Sequence, residues 1–170
     1  REVWGEMSMK ILIVSDTHRR DAALRDLIED LKPFDMFIHL GDAEGSESKY
    51  AEWVNPTCRM EMVRGNNDFF SMLDKEREIR IGGHRALLTH GHLYNVSLGP
   101  EQLKREALAR GCDIAMFGHT HKPYLKRSED IIVLNPGSLS FPRQGGRQPS
   151  YIVMEITDRD EVRIRQEYLE

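Results

Sequence analysis

The chain has 170 residues, of which 39% are hydrophobic and 31% charged, and its formal net charge is −4. This size and apolar content are typical of one soluble domain with a proper core. The small negative charge excludes strong electrostatic attraction to nucleic acid or to an anionic membrane, and no apolar run approaches the length of a membrane span. Two cysteines, Cys58 and Cys112, make no disulfide framework, so we expect a cytoplasmic location.

The first eight residues lack the apolar centre of a signal peptide. We interpret residues 1–8 as an N-terminal extension and expect a single domain over residues 9–170.

The first half of the chain alternates strands with helices. The apolar run at 10–14 predicts a strand buried on both faces. Residues 19–31 follow with apolar side chains at helical spacing and predict a helix that ends before Pro33. Further elements are predicted in this half, in the order strand 35–40, helix 45–53 and strand 57–63. This rhythm favours right-handed crossovers and an α/β core.

The second half of the chain is richer in strands. Runs at 78–81 and 85–89 flank Gly82-Gly83 and predict a hairpin, and a helix is expected between Pro100 and Gly111. The remaining predicted strands are 113–117, 123–126, 131–134, 151–156 and 162–168, with loops at 135–138 and 144–149. Two sheets packed face to face, with helices outside, accommodate this order.

Candidate metal ligands follow five of the predicted strands. These residues are Asp16 and His18, then Asp42, Asn66, His90, and finally His119 with His121. In such sheets, binding and catalytic residues lie at the carboxyl ends of the strands. Asp16 and His18 are two positions apart, so an extended backbone directs both side chains the same way.

The types of donor atom limit which metal ions the site would bind. Imidazole with carboxylate suits Mn, Fe, Zn, Ni or Co, and the absence of thiolate argues against a structural zinc cage. Seven donors are too many for one open site, but they fit two ions if one carboxylate bridges them. Two ions about 3.5–4 Å apart clamp a phosphate and supply a hydroxide near neutral pH, so no nucleophilic side chain is needed.

Each motif taken alone has an ordinary explanation. Asp16 is a candidate helix cap, and Gly41-Asp42 and the run 65–68 are typical turn sequences. The run Gly118-His119-Thr120-His121 is the most specific local signal. Because every match falls at a predicted strand end, the pattern favours a metal site over coincidence. We interpret His39, inside a strand, and His84, in the hairpin turn, as structural residues.

Five motifs, in this order, resemble those of the calcineurin-like metallophosphoesterases, and especially the small bacterial and archaeal phosphodiesterases of the YfcE type. They are Asp16-x-His18, Gly41-Asp42, Gly65-Asn66-Asn67-Asp68, Thr89-His90-Gly91-His92 and Gly118-His119-Thr120-His121. The resemblance covers residues 9–156 and includes the loop Asn135-Pro136-Gly137-Ser138. It implies the metallophosphoesterase fold, a four-layer α/β/β/α sandwich of two mixed β-sheets flanked by helices, with the site along one edge.

The resemblance also implies which residues bind which metal. Asp16, His18 and His121 would hold the first ion, Asn66, His90 and His119 the second, and Asp42 would bridge them. By resemblance the metal is Mn²⁺, while the ligand types leave Fe, Zn, Ni and Co open.

One position departs from the wider family. Many members have histidine where this chain has Asn67, and that histidine helps to protonate the leaving alcohol or touches the phosphate. Asn67 can donate a hydrogen bond but cannot act as a general acid near neutral pH. The proton then comes from His92, from water or from no group at all, in which case only leaving groups of low pKa depart quickly. The alternative for His92 is simple packing beside His90.

These observations predict a dinuclear metal-dependent phosphodiesterase that hydrolyses small-molecule phosphate esters by attack of a metal-bound hydroxide, with Asn67 and His92 as catalytic residues. One alternative is a phosphomonoesterase or nucleotidase of the same fold. Another is a non-catalytic, Vps29-like protein-binding scaffold, which apolar surface with weak metal binding would favour. A homo-oligomer, dimer or tetramer, stays open.

Two arginines that follow the late loop have two interpretations. Arg143 and Arg147 either contact a second phosphate or a base, or are solvated loop charges. Asn135 is a candidate for orienting a site residue.

Overall fold

The computed structural model describes residues 8–169, so the predicted extension lies outside the described residues except for Ser8. The strands of this part are β1 (Met9–Val14), β2 (Met36–His39), β3 (Arg59–Met62), β4 (Glu76–Ile81), β5 (His84–Thr89), β6 (Ile114–Met116), β7 (Pro123–Arg127), β8 (Ile132–Pro136), β9 (Ser150–Ile156) and β10 (Val162–Tyr168). The α-helices are α1 (Ala22–Leu31), α2 (Glu47–Trp53) and α3 (Glu101–Ala109).

The strands form two mixed five-stranded sheets. The first has the order β10-β9-β1-β2-β3, in which β1, β2 and β3 are parallel and β9 runs antiparallel to β1. The second has the order β4-β5-β6-β8-β7, in which β5, β6 and β8 are parallel. Parallel neighbours joined through helices are the expected product of the strand–helix rhythm.

The packing of β1 explains its unbroken apolar sequence. Ile11 and Ile13 point into the core between the two sheets, whereas Leu12 and Val14 pack with Leu24 and other residues under α1 and α2. A separate cluster packs α3 against the outer face of the second sheet. Both faces of each sheet are therefore covered, and the α/β/β/α sandwich expected from the resemblance is confirmed.

The predicted boundaries needed small corrections. β8 continues through Asn135 and Pro136, which pair with Tyr124 and Pro123 of β7, so this part of the predicted late loop is strand. α1 begins at Ala22 because His18 and Arg19 have φ of 47° and 66°, outside the helical range.

Other differences lie in the second half of the chain. The hairpin strands are longer than predicted and start at Glu76 and His84. Two short 3₁₀ helices, His92–Tyr94 and Val96–Leu98, had no sequence prediction.

His84 has the structural role expected of it. Its ring nitrogens hydrogen-bond the Asp113 carboxylate and the Asp160 backbone carbonyl, which ties the hairpin to two neighbouring loops.

Within residues 8–169, no helix combines the length and the apolar character needed to cross a bilayer.

Candidate metal centre

The seven predicted ligands meet at one edge of the sandwich. Asp16 and His18 follow β1, Asp42 follows β2, and Asn66 follows β3 in the first sheet. His90 follows β5, and His119 and His121 follow β6, in the second sheet. Parallel strands present their carboxyl ends at the same edge, which is why residues far apart in sequence converge here.

Asp16, His18 and His121 form the first group of donors. The Asp16 Oδ1 atom is 3.3 Å from His121 Nε2 and 3.8 Å from His18 Nε2, and the two Nε2 atoms are 3.3 Å apart. Asp16 is fully buried, and its Oδ1 atom has no hydrogen-bond partner among the described residues. A buried carboxylate oxygen without a donor costs free energy, and a cation at this point would satisfy it.

His90, His119 and Asn66 form the second group. The Nε2 atom of His90 is 3.3 Å from Nδ1 of His119, which in turn is 3.2 Å from Oδ1 of Asn66. Each group therefore brings nitrogen or oxygen lone pairs together around a shared point, the arrangement expected of ligands for a cation.

Asp42 lies between the two groups. Its Oδ2 atom is 3.7 Å from His18 Nε2 and 3.2 Å from His90 Nε2. Asn67 supports this carboxylate, since its backbone N–H donates to Asp42 Oδ1 at 2.9 Å and its side-chain amide donates to Oδ2 at 3.1 Å.

The outer nitrogen of three histidines is held by a hydrogen bond. Nδ1 of His90 donates to the Leu40 carbonyl at 2.7 Å, and Nδ1 of His121 donates to the Phe141 carbonyl at 2.6 Å. His18 Nδ1 lies against the Glu44 carboxylate. With Nδ1 protonated, the Nε2 lone pair of each ring is directed at the centre, as metal-ligating histidines require.

Charge balance also prepares the centre for a cation. Burial alone would raise the pKa values of Asp16 and Asp42, but interaction with His90 lowers both. Burial would likewise lower the pKa of His90, but the carboxylates of Asp16 and Asp42 raise it to about 9. A proton on His90 and a metal ion are thus alternative ways of compensating these buried carboxylates.

The backbone at the site adopts a conformation that the sequence does not reveal. Five ligands have φ between 47° and 71°, namely Asp16, His18, Asp42, His119 and His121. This left-handed region is uncommon for residues other than glycine, and such residues gather at functional sites. Gly118 is required for another reason, because a Cβ atom there would collide with the side chains of Ser15 and Asp16.

Comparison with known proteins agrees with this geometry. The family model of the calcineurin-like phosphoesterase superfamily domain matches residues 9–159. The chain belongs to this superfamily. Phosphodiesterase YfcE of Escherichia coli strain K12 is 31% identical over 169 residues, covering 86% of this chain and 88% of YfcE.

Solved structures give the same answer for the fold. A structure titled as a novel archaeal phosphodiesterase has a TM-score of 0.74 and 26% identity, and covers 95% of this chain and 100% of its own. Vacuolar Protein Sorting 29 from Cryptosporidium parvum has a TM-score of 0.75 over 97% of this chain and 100% of its own, at 17% identity. The second likeness concerns the fold alone.

Asp68 is a supporting residue of this phosphoesterase domain that the sequence analysis treated only as part of a turn. Its Oδ2 atom accepts hydrogen bonds from the backbone N–H groups of Asp42 at 2.8 Å and Gly65 at 2.7 Å. Its Oδ1 atom accepts from the N–H of Glu44 at 2.7 Å. Asp68 therefore joins the loops after β2 and β3, and its place at the end of Gly-Asn-Asn-Asp was the only sequence signal.

Two residues of the predicted late loop, Asn135 and Ser138, hold segments that carry metal-ligand candidates. Asn135 donates to the Gly118 carbonyl at 3.1 Å and to Thr120 Oγ1 at 2.9 Å, so it orients the segment between His119 and His121. Ser138 donates to the Asp16 carbonyl at 2.7 Å. The orienting function suggested for Asn135 is present, whereas the contribution of Ser138 was not anticipated.

His39 and His92 differ sharply although both lie near the centre. His39 is fully buried and satisfied, accepting from the Gly41 N–H at 3.1 Å and bonding Thr17 Oγ1 at 3.0 Å. Burial lowers the pKa of His39 to about 4, so it is neutral and structural, as expected. The buried Nδ1 atom of His92, by contrast, has no partner in the described part of the chain.

Proposed function

We propose that this protein is a metal-dependent phosphodiesterase that uses two divalent cations to hydrolyse small-molecule phosphate esters. The observation that carries the proposal is the position of Asp42 Oδ2 between His18 Nε2 and His90 Nε2. A carboxylate oxygen between two groups of nitrogen and oxygen donors is what a bridged pair of ions requires. Membership of the superfamily and the likeness to phosphodiesterase YfcE support the same reaction class.

In this proposal, Asp16, His18 and His121 hold the first ion, Asn66, His90 and His119 hold the second, and Asp42 contacts both. The ions, when bound, activate water near neutral pH and neutralise charge on the phosphate. Two carboxylates leave two of the four positive charges of such a pair unbalanced, and that excess attracts the substrate. We propose Mn²⁺ as the metal, while the ligand set also suits Fe, Zn, Ni and Co.

Asn67 and His92 are the proposed catalytic residues. One amide hydrogen of Asn67 is used by Asp42, which leaves the second free to donate to a phosphate oxygen. His92 would give a proton to the leaving oxygen, because its ring centroid is 5.5 Å from that of His90 and 6.1 Å from that of His119. Burial, and then the His90 and His119 rings, lower the pKa of His92, so this step is favoured at acidic pH.

The test is hydrolysis of bis(p-nitrophenyl) phosphate and p-nitrophenyl phosphate by the full chain, with added Mn²⁺ and after chelation. We expect turnover of the diester that disappears with chelation and returns with Mn²⁺. Metal analysis of the active protein should give two ions for each chain. Faster turnover of the monoester would indicate a phosphomonoesterase or nucleotidase instead.

A protein-binding scaffold is the second candidate, and one observation favours it. Phe69, Phe70 and Met72 follow the Asn66 loop directly, and their exposed fractions are 78%, 98% and 98%. Exposed apolar groups of this kind mark contact surfaces. Absence of both diester turnover and tight metal binding would select the scaffold over the enzyme.

In either case we propose a reducing, cytoplasmic setting, because Cys58 and Cys112 are free thiols.

A further inference from the structure

A pocket opens beside the first group of donors. Its volume is about 580 Å³, within the range of small-molecule sites. Its lining consists of His18 and His121 at the inner end, and of Ser140, Phe141, Pro142, Arg143 and Arg147 further out. We call it the arginine pocket. A substrate held at the metal centre would have this space directly next to it.

The charges of the arginine pocket are of one sign. No carboxylate lines it, and neither Arg143 nor Arg147 makes a side-chain hydrogen bond or ion pair with another residue in the range 8–169. Some other arginines are neutralised by an ion pair, as Arg77 is by Glu61 and Arg110 by Glu76. Two uncompensated guanidinium groups beside a phosphate-processing centre are suited to a further phosphate, which arginine binds through paired hydrogen bonds.

The backbone of the arginine pocket is fixed to the centre. The Phe141 N–H donates to Ser138 Oγ at 2.8 Å, and the Phe141 carbonyl accepts the Nδ1 proton of His121 at 2.6 Å. The Arg143 N–H donates to the His121 carbonyl at 3.1 Å. The start of the pocket wall is therefore positioned by Ser138 and His121, and the backbone of Arg143 is held beside His121.

Phe141 gives the arginine pocket an aromatic surface. Its half-buried ring meets the His18 ring edge-on, with centroids 5.4 Å apart, and the Arg20 guanidinium lies 5.2 Å from its centroid. Aromatic rings next to arginines are the usual surface on which a nucleobase stacks.

We infer that the arginine pocket binds a second phosphate together with a nucleobase, so that the preferred substrates are short phosphorylated nucleotides such as a 5′-phosphorylated dinucleotide. This inference rests on the proposed phosphodiesterase function and names its substrate class. One phosphodiester lies at the metal centre, Arg143 and Arg147 bind the terminal phosphate, and Phe141 contacts the base. Of the two interpretations of these arginines, the inference adopts phosphate contact.

The experiment compares two substrates that differ by one phosphate. They are an adenosine dinucleotide with a 5′-phosphate and the same dinucleotide without it, assayed with the Mn²⁺-loaded wild type and the variant R143Q/R147Q. We expect the wild type to show about tenfold lower KM for the phosphorylated form, and the double variant to lose that preference. Rates on bis(p-nitrophenyl) phosphate correct for any change at the metal centre. The variant R105Q, on the exposed face of α3, serves as the matched control and should behave as wild type.

A second measurement does not depend on turnover. Titration calorimetry of the Mn²⁺-loaded protein should show tighter binding of adenosine 3′,5′-bisphosphate than of adenosine 5′-monophosphate, and R143Q/R147Q should remove the difference. Phe141→Leu should weaken the bisphosphate about tenfold while leaving inorganic pyrophosphate unchanged. Equal affinities in the wild type, or a preference that survives in the double variant, would overturn the inference. If no phosphodiester is hydrolysed, the proposed function fails, and the calorimetric comparison still decides whether the pocket takes the second phosphate.

Discussion

The two halves of the candidate centre are built differently. In the first half, comprising Asp16, His18 and His121, both histidines have a fixed outer nitrogen, and Asp16 is fully buried. In the second half, comprising Asn66, His90 and His119, only His90 is buried with a fixed outer nitrogen. Asn66 is exposed, and Nδ1 of His119 lies within hydrogen-bonding distance of Asn66 and His90, the other two donors of this half.

The ligands of the first half are therefore more preorganised for metal binding than those of the second half. A ligand already held in its binding orientation loses little entropy when the metal arrives, whereas an exposed one must be ordered at that moment. We therefore expect the first position to bind its ion more tightly than the second, with Asp42 as the element that couples them.

Replacing the shared carboxylate should have the largest effect. Asp42→Asn preserves the shape of the side chain but removes the negative charge between the two positions, so we expect kcat/KM to fall by about 10³-fold or more and metal content to drop below two. The variant Asp158→Asn, at an exposed turn, is the control. A rate within about tenfold of wild type would show that Asp42 does not bridge.

Substituting one ligand from each half tests the contrast directly. We expect His121→Ala to raise the dissociation constant of the tighter Mn²⁺ ion by about 100-fold, and Asn66→Ala to raise only that of the weaker ion, by about tenfold. Equilibrium dialysis against Mn²⁺ measures both constants. Equal losses in the two variants, or the reverse order, would remove the proposed inequality.

Asp68 should matter to metal binding although it is no ligand. Asp68→Asn replaces one carboxylate oxygen with an NH2 group that cannot accept, so at least one of the backbone N–H groups of Asp42, Gly65 and Glu44 loses its acceptor. We expect metal affinity to fall about 10- to 100-fold with the fold retained. Circular dichroism establishes the fold, and dialysis gives the affinity. Unchanged affinity would mean that the loops after β2 and β3 hold their positions without this carboxylate.

The proton on His90 should be visible in the stability of the metal-free protein. The pKa of His90 is raised to about 9 in the folded chain from 6.5, so its contribution is fully present below pH 6.5 and is lost as the pH rises through 9. We expect the free energy of unfolding to fall by about 1–3 kcal/mol across that window. Denaturant titrations at several pH values measure it. The metal-loaded protein should lack this slope, since the ion takes the place of the proton.

The smallest expected effect concerns His92. His92→Gln should slow alkyl esters about tenfold more than aryl esters, because only poor leaving groups need a proton. Equal slowing of both classes would assign His92 to packing beside His90. Since burial and the neighbouring imidazoles lower the pKa of His92, the difference between the ester classes should shrink as the pH rises.

The order and type of the main elements, and the identity of the donors, were predictable from the amino-acid sequence. The strand β1 is buried on both faces, and such a strand needs an apolar residue at every position. The run at 10–14 could therefore be predicted as a strand. The donors were recognised for a similar reason, since Asp16 and His119 each stand directly after an apolar run. The start of α1 was predicted too early, at residue 19, because the sequence does not reveal that His18 and Arg19 have positive φ, outside the helical range.

The arrangement of those donors in space depends on the tertiary structure and could not be predicted from local sequence. His119 and Asn66 are 53 positions apart, and the order of the sheets, rather than any local pattern, brings them to 3.2 Å. The same holds for two contacts between loops, from the Asp42 N–H to the Asp68 carboxylate and from the Ser138 hydroxyl to the Asp16 carbonyl. Local sequence records what an element buries, whereas the distances within a site depend on how separate elements pack.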